Sequence, residues 1–172
     1  LGAIYARDLM GVENPRVGLL NIGEEPEKGD ERAVETHRLL AASSSLNFVG
    51  NIEGRDVIEE KCDVLVCDGF AGNVLLKFYE SVAAWIVGLV RSEAESSSSA
   101  IDLSRISQIL DYTEYGGAPL LGVNGVTIIC HGGSPPRAIV AAIRVAVQAV
   151  ENHMVQHIQN RLARLSADQG DT

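Results

Sequence analysis

One stretch of the sequence, residues 63–77, constrains the fold more than any other. It opens with an apolar run at residues 64–67, which is typical of a strand buried on both faces of a parallel sheet. Two glycines follow, then Asn73 as a candidate N-cap and an apolar helical pattern at residues 74–90. The stretch therefore predicts a strand, a glycine loop and a helix, in that order.

A glycine loop that leads into a helix suits an anion. The first backbone N–H groups of a helix have no internal partner, and the helix dipole is positive at that end. The same residues also fit an ordinary strand-to-helix turn, in which Asp68 accepts hydrogen bonds from the loop amides. The stretch alone leaves both interpretations open.

Strand-type and helix-type segments alternate along the chain, which predicts a mostly parallel sheet with helices on both faces. Since 172 residues, 46% of them hydrophobic, suffice for one core, we predict a single α/β domain over residues 1–172. Besides the strand and helix above, the predicted elements are a helix at residues 1–10, a strand at 17–22, a helix at 31–42, a strand at 46–52 and a short helix at 103–110.

The second half of the chain carries a hairpin signal and a serine-rich segment. Asn124 and Gly125 lie between apolar runs at residues 118–123 and 126–130, the strongest hairpin pattern in the sequence. The polar residues 91–104, with their run of serines, predict a low-complexity excursion on the surface.

The apolar pattern after the paired prolines predicts one long helix. Pro135 or Pro136 suits its first position, and apolar residues then recur every three or four positions as far as Leu165. The helix would have about 30 residues and a length of roughly 45 Å, so we expect its outer half to pack on a partner subunit. His153 and His157 lie four positions apart on it, but no carboxylate or cysteine cluster completes a metal site, and we predict none.

Charge, hydropathy and cysteine usage exclude several classes of partner. A net charge of -9 disfavours nucleic acid. No unbroken apolar run reaches about 18 residues, so we predict no membrane span, and the first residues do not resemble a secretory leader. Cys62, Cys67 and Cys130 form no CxxC motif and flank apolar strand residues, which predicts reduced core thiols in a cytoplasmic protein.

Four predicted strands end in loops rich in glycine and polar side chains. In open parallel sheets, ligands bind at the carboxyl ends of the strands, and right-handed crossovers bring most of these loops to one edge. The loops are residues 23–25, 50–51, 68–73 and 131–134.

Two of these loops also open predicted helices, and two helix N-termini in one crevice suit a phosphate ion. The candidate phosphate-binding residues are Gly72, Asn73, Gly132, Gly133 and Ser134.

Three side chains beside the loops are the candidate catalytic residues. His131 supplies a titratable group, Lys77 a positive charge about one turn into its helix, and Asp68 a carboxylate at the strand end. A surface lysine with its alkyl chain along an apolar face would give the same pattern as Lys77. The sequence has no G-x-S-x-G, P-loop or G-x-G-x-x-G motif, so we expect no cofactor and an attack by a bound substrate.

Several motifs together resemble the PlsX family, the acyl-carrier-protein:phosphate acyltransferases of bacterial phospholipid synthesis. They are residues 14–25, 50–55, 63–77 and 115–122, with His131 and Gly132. The resemblance covers nearly the whole chain, but only the C-terminal half of the family's proteins. The chain also begins within a predicted helix, and we expect it to be part of a longer protein.

The resemblance implies a Rossmann-like fold akin to phosphotransacetylases and isocitrate-dehydrogenase-type enzymes, and a homodimer. It also implies a reaction in which inorganic phosphate attacks the thioester of acyl carrier protein and gives an acyl phosphate. Backbone N–H groups and Ser134 would then bind phosphate or the developing oxyanion, and His131 would help protonate the leaving thiolate.

Two features depart from the family pattern. The family's N-terminal half, with its own glycine-rich motifs, is absent, so this chain need not be active by itself. Residues 92–99 are acidic and serine-rich where the family usually carries a basic, apolar helix linked to membrane contact, which argues against peripheral membrane contact here. Acidity also disfavours an acidic carrier protein, unless Arg137, Arg144 and the missing half form a basic patch.

Two other functions stay open at this point. A phosphate acetyl- or butyryltransferase acting on coenzyme A thioesters would keep the fold and change the acyl donor. A non-catalytic oligomerisation fragment would keep the fold and lack the activity.

Overall fold

The computed structural model describes residues 1–96 and 116–170, with side chains except those of residues 94–96 and 165–170. The short helix expected at residues 103–110 and most of the serine-rich excursion lie outside that part. The elements are α1 (Gly2–Asp8), β1 (Arg16–Leu20), α2 (Glu31–Ala42), β2 (Asn47–Ile52), β3 (Val64–Val66), α3 (Gly69–Ser96), β4 (Ala118–Pro119), β5 (Ile128–Ile129), α4 (Pro136–Glu151) and α5 (Met154–Gly170).

The chain divides into two compact units. The first unit comprises Leu1–Cys67, Leu120–Thr127 and Val147–Thr172, and the second comprises Asp68–Pro119 and Ile128–Ala146. Each is described by itself below, and the single domain over residues 1–172 stays a prediction.

A parallel sheet of three strands, in the order β2-β1-β3, forms the centre of the first unit. Val17 and Leu19 of β1 are buried, and β1 pairs in parallel with both neighbours. Gly18 allows this close packing, because a Cβ atom at that position would collide with the side chain of Ile52 on β2. The parallel sheet predicted from the alternating pattern is therefore confirmed.

The start of α2 and the end of α1 each have a local sequence signal. The predicted bounds of α2 are confirmed, and the Asp30 side chain caps it by accepting a hydrogen bond from the Ala33 amide at 2.8 Å. After α1, Gly11 has a φ of 75°, and the Val12 amide donates to the Ala6 carbonyl six residues back, so a left-handed glycine turns the chain away from the helix.

The long helix predicted after the prolines is wrong, because the chain forms two helices there, α4 and α5. Pro136 is the first residue of α4, as predicted. His153, between the helices, has a φ of 50°, and a residue in this left-handed region interrupts the α-helical repeat. The apolar pattern continues across the break, so periodicity alone did not reveal it. Met154 and Ile158 of α5 pack with Ile4 in the core of the first unit.

The predicted antiparallel pairing is confirmed, but it is shorter than expected and its register does not fit a two-residue turn at Asn124 and Gly125. Strands β4 and β5 have two residues each and pair antiparallel, in the register Ala118 opposite Ile129 and Pro119 opposite Ile128. The Leu120 amide donates one further hydrogen bond to the Thr127 carbonyl. This ribbon is separate from the parallel sheet.

Helix α3 has an apolar face that is largely exposed. Trp85 on this face is 65% exposed, because none of the described residues covers it. By length and composition alone, Gly69–Glu93 is long and apolar enough to cross a membrane, and α4 with α5 would also pass as a broken span. The sequence analysis predicted no membrane span because it required an unbroken apolar run, and polar side chains interrupt the run in α3.

Two of the three cysteines contradict the prediction of core thiols. All three are thiols, but Cys67 and Cys130 are exposed, because each follows the last residue of a short strand. Only Cys62 is partly buried, and that burial raises the pKa of its thiol.

The beginnings of β1 and β3 are joined by a bidentate ion pair between Arg16 and Asp63. The Arg16 guanidinium donates to both carboxylate oxygens, at 3.0 and 2.9 Å, and the Arg16 amide donates to Oδ2 at 2.7 Å. The hydrogen bonds from the Arg16 side chain and amide lower the pKa of Asp63 to about 2.

This ion pair predicts a loss of stability in acid. Because the pKa of Asp63 is lower in the folded protein, its contribution is complete above the unfolded value of about 4 and is lost as the pH falls towards 2. Asp63→Asn should therefore lower the melting temperature at pH 7, and its difference from the parent should shrink between pH 4 and pH 2. Glu27→Gln, at an exposed loop position, is the control. A constant difference for Asp63→Asn over this range would contradict the prediction.

Candidate functional site

Asp68 forms the N-terminal cap of α3. Its Oδ1 accepts hydrogen bonds from the amides of Phe70 and Ala71, at 2.8 and 3.0 Å, and its carbonyl accepts one from the Gly72 amide at 3.0 Å. The interpretation in which Asp68 serves the loop amides is thus the one that these contacts support.

The predicted N-cap at Asn73 is wrong, since α3 begins four residues earlier, at Gly69. The glycines that suggested a loop belong to the helix itself, and the Gly72 amide already has an intrahelical partner. A carboxylate occupies the helix start that was expected to hold phosphate. Lys77 accordingly lies about two turns into α3 rather than one.

Lys77 of α3 contacts His131, which follows β5. The distance from Lys77 Nζ to His131 Nε2 is 3.2 Å, and Glu80 Oε2 lies 3.5 Å from the same ammonium. The structure thus brings together two of the three candidate catalytic residues. Glu80 was missed in the sequence, although its position three residues after a candidate lysine was a usable signal.

The His131 ring is approached by two hydrogen-bond donors. The Gly133 amide donates to Nδ1 at 3.2 Å, while the Lys77 ammonium lies beside Nε2. A neutral imidazole has one acceptor nitrogen and one N–H, and an ammonium has only donors. The ring can therefore accept from Lys77 or from Gly133, but not from both, and Glu80 Oε2 is an acceptor beside the Lys77 ammonium.

The loop between β5 and α4 holds the predicted residues 131–134 in a tight turn. The Ser134 amide donates to the His131 carbonyl at 3.0 Å, and Ser134 is partly buried while Gly132 and Gly133 are exposed. Helix α4 begins two residues later at Pro136, which has no N–H. A single helix start, that of α4, therefore lies next to this loop.

Asn73 lies one turn before Lys77 on the same helix. Residues four apart on an α-helix share a face, so Asn73 and Lys77 are neighbours on α3. We name the group of Asn73, Lys77, His131, Gly133 and Ser134 the donor cluster. Its donors include the Lys77 ammonium and the Gly133 amide, with the Glu80 carboxylate as a neighbouring acceptor, and donors of these kinds occur in anion sites.

The loops after β1 and β2 belong to the first unit. Hydrogen bonds from side chains hold these loops, and the sequence analysis did not predict that role for them. Buried Asn51 donates from Nδ2 to the Glu25 carbonyl at 2.8 Å, and its Oδ1 lies 2.9 Å from Nδ1 of His37. Asn21 likewise donates from Nδ2 to the Lys28 carbonyl at 2.9 Å. The convergence of all four loops on one edge stays a prediction.

No metal centre was expected at the histidine pair, and that expectation stays untested. His153 precedes α5, and His157 Nδ1 lies 3.4 Å from Asp8 Oδ2. Among the residues that the structure describes, no group of three or more metal-binding side chains occurs.

Comparison with known proteins gives the family. The model of a family described as "Fatty acid synthesis protein" matches residues 1–157. This chain belongs to that family, the PlsX family. The resemblance seen in the motifs is thereby confirmed.

Curated relatives carry the name "Phosphate acyltransferase". The relative from Synechococcus elongatus is 50% identical over 166 residues, which are 92% of this chain and 48% of that protein. Relatives from a Nostoc species and from Heliobacterium modesticaldum are 47% and 46% identical, over 94% of this chain and 50% of each protein. The chain spans about half the length of the curated relatives it matches.

Two substitutions test whether Asp68 acts as the N-terminal cap of α3. Asp68→Ala removes the acceptor and should lower the free energy of unfolding by about 1 kcal/mol, with faster hydrogen exchange at the Phe70 and Ala71 amides. Asp68→Asn keeps an acceptor oxygen and should stay close to the parent in both measurements. Equal losses in the two variants would show that the carboxylate charge, rather than the cap, is what matters.

Proposed function

We propose that this chain is the phosphate-binding half of a phosphate acyltransferase, which converts the thioester of acyl carrier protein and inorganic phosphate to an acyl phosphate. The observation that carries the proposal is the approach of two donors, the Lys77 ammonium and the Gly133 amide, to one imidazole ring, that of His131. The names of the relatives support the reaction class.

Phosphate would bind beside the Lys77 ammonium and the Gly133 amide. An oxyanion there accepts from the ammonium and from the amide, so that His131 no longer has to accept from both. The Asn73 side chain, one turn before Lys77, and the Ser134 hydroxyl, in the residue after Gly133, are further candidate donors. The energetic gain comes from positioning and charge, since the nucleophile is phosphate itself.

The reaction then needs one proton transfer. A phosphate oxygen attacks the thioester carbonyl carbon, the C–S bond breaks, and the sulfur leaves as a thiolate. In this proposal His131 takes the proton that the attacking hydrogen phosphate loses and donates it to that sulfur, and Lys77 keeps the phosphate charge paired.

The rest of the proposal concerns the whole protein. It includes a homodimer in the cytoplasm, a Rossmann-like arrangement of the phosphotransacetylase type, and acyl carrier protein as the donor. Arg137 and Arg144 are exposed on α4 and are candidates for steering an acidic carrier protein. The largely exposed apolar face of α3 is available to the half of the protein that this chain does not include.

A chimera tests the function of this chain directly. The part of the Synechococcus elongatus relative that the chain does not match is joined to the chain, and acyl phosphate formation is measured. Lys77→Met should raise the KM for phosphate about ten- to a hundredfold, since it removes a charge-assisted hydrogen bond. His131→Ala should lower kcat about a hundredfold or more, the usual loss for a general acid.

Asn73→Ala and Ser134→Ala should each raise the KM for phosphate severalfold, and Arg91→Gln is the control because it removes a charge from the same helix. The donor panel compares acyl carrier protein with coenzyme A thioesters, and faster turnover of the latter would favour the acetyl- or butyryltransferase. An active chimera in which none of these four substitutions changes the kinetics would refute the site. A folded but inactive chimera would favour the non-catalytic fragment.

A further inference from the structure

A cavity lies in the first unit, at the amino ends of β1 and β2. Its volume is about 280 Å³, and its lining includes Asn14 and Asn47 at these strand ends. Helices α1 and α5 also contribute to the wall, with Arg7 from α1 and Arg161 and Arg164 from α5. We call this the arginine cavity. The donor cluster uses none of its residues.

The arginine cavity concentrates positive charge in an acidic protein. Three guanidiniums line it, against the carboxylate of Glu13 in the wall and that of Asp8 behind it. Three positive and two negative charges leave a surplus of one positive charge there, whereas the whole chain has a net charge of -9. Anions are thus the ligands that this cavity favours.

Asp8 fixes two of the three guanidiniums. Arg7 Nε and Arg161 Nη2 both donate to Asp8 Oδ1, each at 3.2 Å. Burial opposes the charged form of Asp8, but these hydrogen bonds outweigh it and hold its pKa below the usual value. The other N–H groups of both guanidiniums remain to serve a ligand, because each guanidinium has five donors.

Part of the wall is apolar. Ile4, Leu46 and Leu162 line the cavity together with the arginines. A volume of about 280 Å³ is near the lower end of the range of about 300–1,000 Å³ for small-molecule sites, so it suits a short molecule. A site with guanidiniums and apolar side chains side by side fits a ligand with an anionic head and a short apolar tail.

We propose that the arginine cavity binds a short-chain anionic amphiphile, with a phosphate or carboxylate head on Arg7, Arg161 and Arg164 and an alkyl tail on Ile4, Leu46 and Leu162. The site is independent of the donor cluster and of the reaction proposed above. A ligand bound here would tie α1 to α5 at the edge of the sheet opposite the carboxyl ends of the strands.

Calorimetric titration of the 172-residue chain tests the proposal with three probes: octyl phosphate, octanoate and inorganic phosphate. An alkyl probe should bind at one site with at least tenfold higher affinity than inorganic phosphate, because burial of the tail adds to the contacts of the head. The stronger of octyl phosphate and octanoate identifies the head group. The titrations are repeated in Lys77→Met, which removes any contribution from the donor cluster.

Substitutions then locate the site. Arg164 is the arginine to substitute, because Arg7 and Arg161 also hold Asp8. Arg164→Gln should weaken binding of the alkyl probe about tenfold. Leu162→Ala should weaken the alkyl probe and leave inorganic phosphate unchanged. Arg32→Gln, on exposed α2, is the matched control and should change nothing.

Three results would overturn the proposal. They are the absence of saturable binding by either alkyl probe, alkyl-probe binding that is unchanged in Arg164→Gln, and inorganic phosphate that binds as tightly as the alkyl probes. Melting curves of each variant, measured without probe, show that a lost signal is not lost folding.

Discussion

The chemistry of the second unit depends on one contact, between Lys77 on α3 and His131 after β5. An ammonium has no lone pair, so it can approach an imidazole nitrogen favourably only when that nitrogen is an acceptor. The Gly133 amide makes the same demand on the other nitrogen of the ring. One ring cannot meet both demands, and an added anion meets them at once. The proposed phosphate site rests on this imbalance.

In the first unit, polar side chains hold the strand starts and a loop of the parallel sheet in place. The ion pair of Arg16 with Asp63 joins the starts of two strands, and buried Asn51 holds the loop that follows β1. Each of these groups has its hydrogen-bond partners inside the protein. The donor cluster differs from them because two of its donors, the Lys77 ammonium and the Gly133 amide, approach one imidazole ring.

Most of the first unit followed from the sequence, because its strands and helices are short and each has its own boundary signals. The bounds of α2 were predicted to the residue, since Asp30 and the serines after Ala42 mark its ends. The prediction of one helix beyond Pro136 failed because an apolar period does not report a single left-handed residue such as His153. Burial of the cysteines was also overpredicted, since Cys67 and Cys130 each follow the last residue of a short strand and are exposed.

The site was predicted in part. His131 and Lys77 were named for their charges, and their contact is found in the structure, although their roles are still proposals. The start of α3 was misplaced because Gly69 and Gly72 resembled a loop, whereas the Asp68 cap stabilises a helix through both. Side chains that act through buried polar contacts, such as His37 and Asn51, have no sequence pattern that identifies them.

The most direct measurement of the central claim is an NMR titration of the isotope-labelled chain with inorganic phosphate. The account predicts saturable shifts of the Gly133 amide and of the His131 ring nitrogens, with little change at the Phe70 and Ala71 amides that Asp68 caps. Saturable shifts at Phe70 and Ala71 with none at Gly133 and His131, or no shifts at all, would contradict it.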